Sequence, residues 1–464
     1  MRKIDFLFVY EVKNRELESI CLLAYELRRR GYSVAFVETW HTIHHVFEKY
    51  DARVVVSFAM YNDGQVHFLC NYAKYPKKII NMQWEQLYTI AEEETVNAAH
   101  QILGQAVHAV HIAWGKYNYD KLIKTFNILP NNVFIGGHVG LDFFKPYLKG
   151  YYLSKNEVCE KYNLNVNKQL ILFISSFSYN ELPESEIKSE LYKKLAFPAE
   201  KFQSISIKSR KIILSWLRKL LPEMDNVVFI YRPHPAEVGN EELYNMEKTL
   251  NNFRVIREES IKQWILISDK IYNWYSTSMA EILSANGKYE MIRPEPIPYL
   301  ADVRIFLGCN AITTQKELAD SLNNIDSCTH LIDESIIENY YDFDDEYSYK
   351  KICDKFEEVY NSKDYEYDFC PQKTSNISRM FNTELKDQYL NCRKILRDKI
   401  ANYGLKHYVA RKILENRKGL KHYMDNYYFV ESMSKNNYST NSEIEGVIKR
   451  IGDIIENNQK RNMK

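Results

Sequence analysis

The stretch "FIYRPHPAE" (229–237) ends an apolar run in Arg232, Pro233, His234 and Pro235. Proline cannot donate to a sheet ladder, so a strand must stop here, and the two rings limit how far the imidazole between them can move. A guanidinium offers a fixed fork of donors suited to phosphate oxygens, and an imidazole can donate to the same anion. Further on, "NWYSTSMAEIL" (273–283) places Ser276, Thr277 and Ser278 at a helix start, where free N–H groups and the helix dipole attract negative charge. "ISSFSYN" (174–180) adds Ser175 and Ser176 at the end of another apolar run. Together, Arg232, His234, Pro235 and these hydroxyls form an expected phosphate-binding site. Glu281 follows Ser278 at S-x-x-E spacing, which suits a capping box and a ribose hydroxyl contact equally well.

Acids that could take a proton lie earlier in the chain. "INMQWEQ" (80–86) and "YEVKNREL" (10–17) both follow strand-like runs, and they offer Glu85, Glu11 and Glu16 as general base or nucleophile. Glu85 ranks first among them, although an acid in a loop or a first helical turn is the blander reading. Lys13, Arg15 and His138, the last following Gly136 and Gly137, are expected on the acceptor or phosphate side.

Other motifs carry less. "HTIHH" (41–45) sets His41 and His45 one helical turn apart but lacks the Glu of H-E-x-x-H, so a helix face is the better reading. "DFDD" (342–345) contains a D-x-D string in an acidic, Tyr-rich tract, where chance explains it better than a metal site. With 15 glycines but no G-x-G-x-x-G and no P-loop, dinucleotide oxidoreductases and P-loop ATPases are disfavoured. No metal and no cofactor is expected.

The elements that must position these residues are short apolar runs alternating with helical patterns. Strands are expected at 3–10, after Gly31, and at 53–58, 78–82, 110–114 and 133–137. A capping box at Ser154 and Glu157 starts a helix, and a second series follows at 169–177, 226–232, 253–256, 269–275 and 289–294. Alternation of this kind predicts parallel sheets buried on both faces, an α/β class. The expected organisation is a first Rossmann-like domain over 1–150, a second over 151–335, and a helical extension over 336–464. A cleft between the two would face the carboxyl ends of both strand sets.

At this point the residues resemble a family. A His-Pro step followed by a Ser-Thr step is similar to the motif pair of bacterial sialyl-, polysialyl- and Kdo transferases, GT-B enzymes that use CMP-activated sugars. The R-P-H-P form is also similar to capsule and surface-carbohydrate proteins, and teichoic-acid polymerases using CDP-glycerol are more distant relatives in style. The resemblance implies a two-domain GT-B fold over about residues 1–335, with His-Pro and Ser-Thr holding the cytidine nucleotide's phosphate. It implies a nucleotide-activated sugar as substrate and a surface polysaccharide or lipid-linked glycan as acceptor. A CDP-polyol phosphotransferase and a non-catalytic scaffold are the alternatives. The acidic pair followed by glycine that supplies the sialyltransferase base has no clear counterpart here, which leaves the catalytic carboxylate, and inversion or retention, open.

Composition agrees with a globular chain of more than one core: 464 residues, 45% hydrophobic and 27% charged. A formal net charge of +1 announces no nucleic-acid partner. The eight cysteines form no C-x-x-C pair, as expected of reduced thiols, and the N-terminus reads as a first strand rather than a leader. A cytoplasmic location follows as the expectation. Within 401–424, six cations surround an apolar stripe of Leu405, Val409 and Ile413, which suits either peripheral contact with an anionic inner membrane face or packing on the protein itself, the latter slightly favoured.

Overall fold

The computed structural model of the chain describes residues 2–39, 50–70, 72–74, 76–94, 100–180, 182, 187–188, 198–235, 237, 241–369 and 438–462. His41 and His45, the 401–424 segment, Cys370 and Cys392 lie outside the described residues.

Strands β1 (Arg2–Tyr10), β2 (Val34–Glu38), β3 (Tyr50–Ser57), β4 (Ile79–Asn81), β5 (Val110–Ala113) and β6 (Val133–Ile135) form one sheet in the order β2-β1-β3-β4-β5-β6. Strands β7 (Gln169–Ile174), β8 (Val227–Arg232), β9 (Phe253–Val255), β10 (Lys270–Asn273), β11 (Tyr289–Ile292) and β12 (Ala311–Ile312) form a second, in the order β12-β11-β10-β7-β8-β9. Every neighbouring pair is parallel, which is why the strands read as unbroken Val, Ile and Phe runs rather than as alternating ones. The chain turns back between β1 and β3 in the first sheet and between β7 and β10 in the second. Such switch points open a crevice at the carboxyl ends of the strands.

Six helices matter for the site: α1 (Lys13–Arg29), α2 (Ala199–Leu220), α3 (Ile261–Ile267), α4 (Met279–Ser284), α5 (Ser348–Asn361) and α6 (Asn441–Asn462). Helix α1 buries Leu17, Ile20, Ala24 and Leu27, spaced at three and four residues, against the first sheet. Two helices from the far end of the chain complete that same core. Ile352, Phe356 and Val359 of α5, with Ile444, Ile448, Ile451 and Ile455 of α6, pack with Phe6, Phe8 and Tyr10. Each such side chain, fully buried, stabilises by about 1.5–3 kcal/mol. The start of α5 is fixed by Asp142, whose buried carboxylate accepts from the Ser348 and Tyr349 N–H groups at 3.1 and 2.7 Å. Gly137, at φ 77°, passes so close that a Cβ there would collide with Ser348 Oγ.

The Ser154–Glu157 capping box forms as its spacing predicts. The D-x-D string is gripped by Lys351, whose Nζ lies 2.7 Å from both Asp342 and Asp344. Among the described residues no group of three or more His, Cys, Asp or Glu is arranged to hold a metal, and no helix is long and apolar enough to cross a membrane.

Candidate active site

On the second sheet, β10, β7 and β8 are neighbours, so Ser276–Ser278, Ser175–Ser176 and Arg232–Pro235 share one carboxyl edge. What holds them there is a residue the motif reading passed over. Glu237, fully buried two positions after Pro235, accepts from Ser175 Oγ, from Tyr231 Oη at 2.8 Å and from Arg210 Nε of α2 at 3.0 Å. Its own N–H donates to the His234 carbonyl at 2.8 Å, so the two prolines and this acid together set the loop. Ser175 is therefore engaged within the protein. Arg232 is too: its guanidinium donates to the carbonyls of Ile256 at 3.4 Å, Glu258 at 2.5 Å and Glu259. Burial pulls its pKa down to about 10, against the nearby charge of Glu258. In this arrangement Arg232 braces the turn after β9 and does not present an open fork to a phosphate. His234 remains beside the crevice, its pKa lowered by burial and drawn back up by Glu237 and Glu85.

Asn273, the last residue of β10, closes the serine loop through both ends of its amide, at 2.7 Å to the Ser276 N–H and 2.7 Å to the Ser276 carbonyl. Ser276 Oγ in turn accepts from the Ser278 N–H at 3.3 Å, and Thr277 is exposed. Ser278 stands at the cap position of α4 but makes no side-chain cap, so no capping box forms with Glu281. The Glu281 carboxyl turns back on its own backbone N–H, and burial raises its pKa against the charge of Lys262 and that hydrogen bond.

The first sheet answers with charge. Glu16, fully buried, accepts the N–H groups of Glu11 at 2.8 Å and Val12 at 3.3 Å, and so caps α1, which has no cap side chain at Val12. Arg15 gathers three acids: Glu16 at 2.7 Å, Glu11 at 3.6 Å, and Glu85 in a short ion pair. Glu85 is held out from a stiff turn: Gln83 has φ 47°, Tyr88 Oη donates to the Glu85 carbonyl at 2.6 Å, and Gln86 bonds β5 at the Ile112 carbonyl and Trp114 N–H. Its side chain is 58% exposed, the most open of the three. Burial and the Glu16 charge, against Arg15, push the Glu11 carboxyl up to about 7. Lys13 turns away to pair with Glu443 of α6.

The two edges face each other. The His234 imidazole feels the Glu85 charge across the crevice, and the domains are tied by the Ile90 N–H to the Asp302 carbonyl at 2.8 Å, Arg304 to Glu93 at 2.8 Å and Lys262 to Glu18 at 3.0 Å. His138 lies on the same seam, packed edge-on to Trp114 at 4.4 Å between ring centroids. Burial and the Lys262 charge lower its pKa to about 3.

No protein-family model and no curated protein matches the chain. Among solved structures, three of the wall teichoic acid polymerase TagF are similar to it. One structure gives 15% identity and a TM-score of 0.52, another 14% and 0.51, and a third, soaked with CDPG, 14% and 0.50. Each alignment covers 77% of this chain and 89% of that one. The shared layout of two parallel sheets is that of the GT-B fold, two Rossmann-like domains across a cleft.

Proposed function

We propose that the protein is a GT-B transferase moving a sugar from a cytidine-nucleotide donor to a surface polysaccharide or lipid-linked glycan. The observation that carries this reading is the meeting of two unlike edges at one crevice. The hydroxyls of Ser276–Ser278 and the braced His234 lie on one side, and Glu11, Glu85 and Arg15 on the other. The Ser276–Ser278 loop and His234 take the donor's phosphate, and Glu281, free of a capping box, takes ribose hydroxyls. Of the three acids, Glu11 best matches a general base: its carboxyl titrates near neutrality, where proton acceptance from a hydroxyl is efficient. Burial and the Glu16 charge raise that value, Arg15 holds it down and Glu85 adds to the rise, while Glu16 also holds the loop in place.

A second reading, transfer of a polyol phosphate from a CDP-polyol, is favoured by the likeness to TagF soaked with CDPG. Both use the same loops and differ in the atom attacked. A thermal-shift panel of CMP, CDP, UDP and GDP tests the shared part. The expected result is stabilisation by cytidine nucleotides, about 2.7 kcal/mol at a hundred times the dissociation constant, with less from the others. No response to CMP or CDP overturns it. Whether the product carries phosphorus then separates the two readings.

A further inference from the structure

Lys262 is a nearly buried ammonium at a place where the protein supplies too few acceptors. It rises from the first turn of α3 on the donor side, 6% exposed, and donates to Glu18 of α1 at 3.0 Å. Glu18 is already the acceptor of Tyr152 Oη at 2.7 Å. An ammonium has three N–H donors, and among the described residues Glu18 is the one hydrogen-bond acceptor of this one. Phe143 covers another side, its ring centroid 5.6 Å from Nζ.

Two more polar groups lie around it. His138 Nδ1 is buried with no hydrogen bond, and the Glu281 carboxyl, beside the Lys262 charge, accepts among the described residues from its own backbone N–H. Gly140 lets His138 and Lys262 approach: a Cβ there would lie 2.6 Å from His138 Cε1 and 3.3 Å from Lys262 Cε. Buried polar groups are nearly always satisfied, and a group of unsatisfied ones at one seam marks a place where a ligand completes the set. Compact ammonium charge selects an anionic oxygen. The other cations of the donor edge do not serve: Arg232 is engaged with carbonyls, and Arg257 donates to the Glu237 carbonyl at 2.5 Å.

We infer that Lys262 is the donor site's phosphate-binding cation, shared between the donor's phosphate and Glu18 of the opposite lobe. The inference rests on the nucleotide-donor reading above. If Glu281 holds the ribose, the phosphate is joined to that ring through its 5′ carbon. A cation beside Glu281 is therefore within one covalent link of it. No covalent step is involved. Phosphate oxygens would supply the acceptors that Nζ lacks, and Glu18, kept on the same Nζ, would couple donor occupancy to the α1 lobe.

Calorimetric titration of the full chain with CDP and with cytidine measures the contribution of phosphate as the ratio of the two affinities. The wild-type protein is expected to favour CDP by about tenfold or more, the scale of a charge-assisted contact. Lys262→Gln should remove most of that ratio while leaving cytidine affinity unchanged, and Glu18→Gln, which relieves competition for Nζ, should keep or enlarge it. A ratio unaltered by Lys262→Gln overturns the inference. So does a Glu18→Gln protein that loses the ratio, since Lys262 would then act through lobe closure; this arm stands even if Lys262→Gln fails to fold. Should uridine and UDP bind in place of cytidine and CDP, the cytidine reading fails and the ratio is measured on the uridine pair. A wild-type ratio near one for both pairs overturns the phosphate contact itself.

Discussion

The two edges of the crevice are built by opposite means. On the donor side the charged residues are consumed by construction: Glu237 draws together Arg210, Tyr231 and Ser175, and Arg232 holds three carbonyls of the turn after β9. What reaches the crevice is hydroxyl, backbone and a proline-braced imidazole. On the acceptor side one guanidinium faces three acids, of which Glu16 is buried and Glu85 is largely open. The first edge is a rigid cradle, and the second is a set of coupled titrating groups. A residue's place in a motif therefore does not say whether it meets the ligand or holds the residue that does.

The largest effect that would test this contrast is on turnover. Glu11→Gln keeps the shape but cannot accept a proton, so turnover should fall by about 10²–10⁴ with nucleotide binding nearly intact. Full activity in that variant, with loss in Glu85→Gln instead, would move the base to Glu85. On the donor side, Glu237→Gln should act on stability first. Breaking a buried pair with Arg210 costs about 3–5 kcal/mol, readable as a lower denaturation midpoint. An unchanged midpoint would mean that the cradle is not held by this acid. His234→Ala should weaken donor binding by roughly 1.5–3 kcal/mol in calorimetry with little change in folding. Equal affinity in a folded variant would remove His234 from the donor site.

The smallest effect is the most specific. Activity that needs the Glu11 carboxylate should rise with pH through about 7, because the base must be unprotonated. The Glu85 charge raises the Glu11 pKa, so Glu85→Gln should move this limb of the kcat/KM profile to lower pH. A limb that stays put would uncouple the two acids.

The sheets were legible because parallel strands announce themselves as short apolar runs; eleven were expected, and β12 escaped because two residues make no pattern. The destination of α5 was not legible. Its periodicity marks a buried face without saying that the face covers the first sheet rather than an appendage. At the site, the three loops singled out in the sequence do share one edge, since β7, β8 and β10 are neighbours. It could not say that Arg232 turns toward carbonyls of residues 256–259, because those acceptors belong to backbone and carry no residue-type signal. Glu237 had a signal, an acid just beyond R-P-H-P, but a buried carboxylate reads in sequence like any loop acid. Lys262 and Glu18 lie in different lobes, and no spacing links them.

Helices α5 and α6 give the molecule an unusual order of completion. The lobe that begins with β1 cannot close its core until residues 349–359 and 444–455 have been made, although the lobe between them needs neither. During synthesis, the donor lobe is thus free to finish while Phe6, Phe8 and the inner face of α1 still await their cover. Of the two lobes, the one whose strands are made earlier is the last to complete its core, and the acidic edge it carries takes form after the edge it faces.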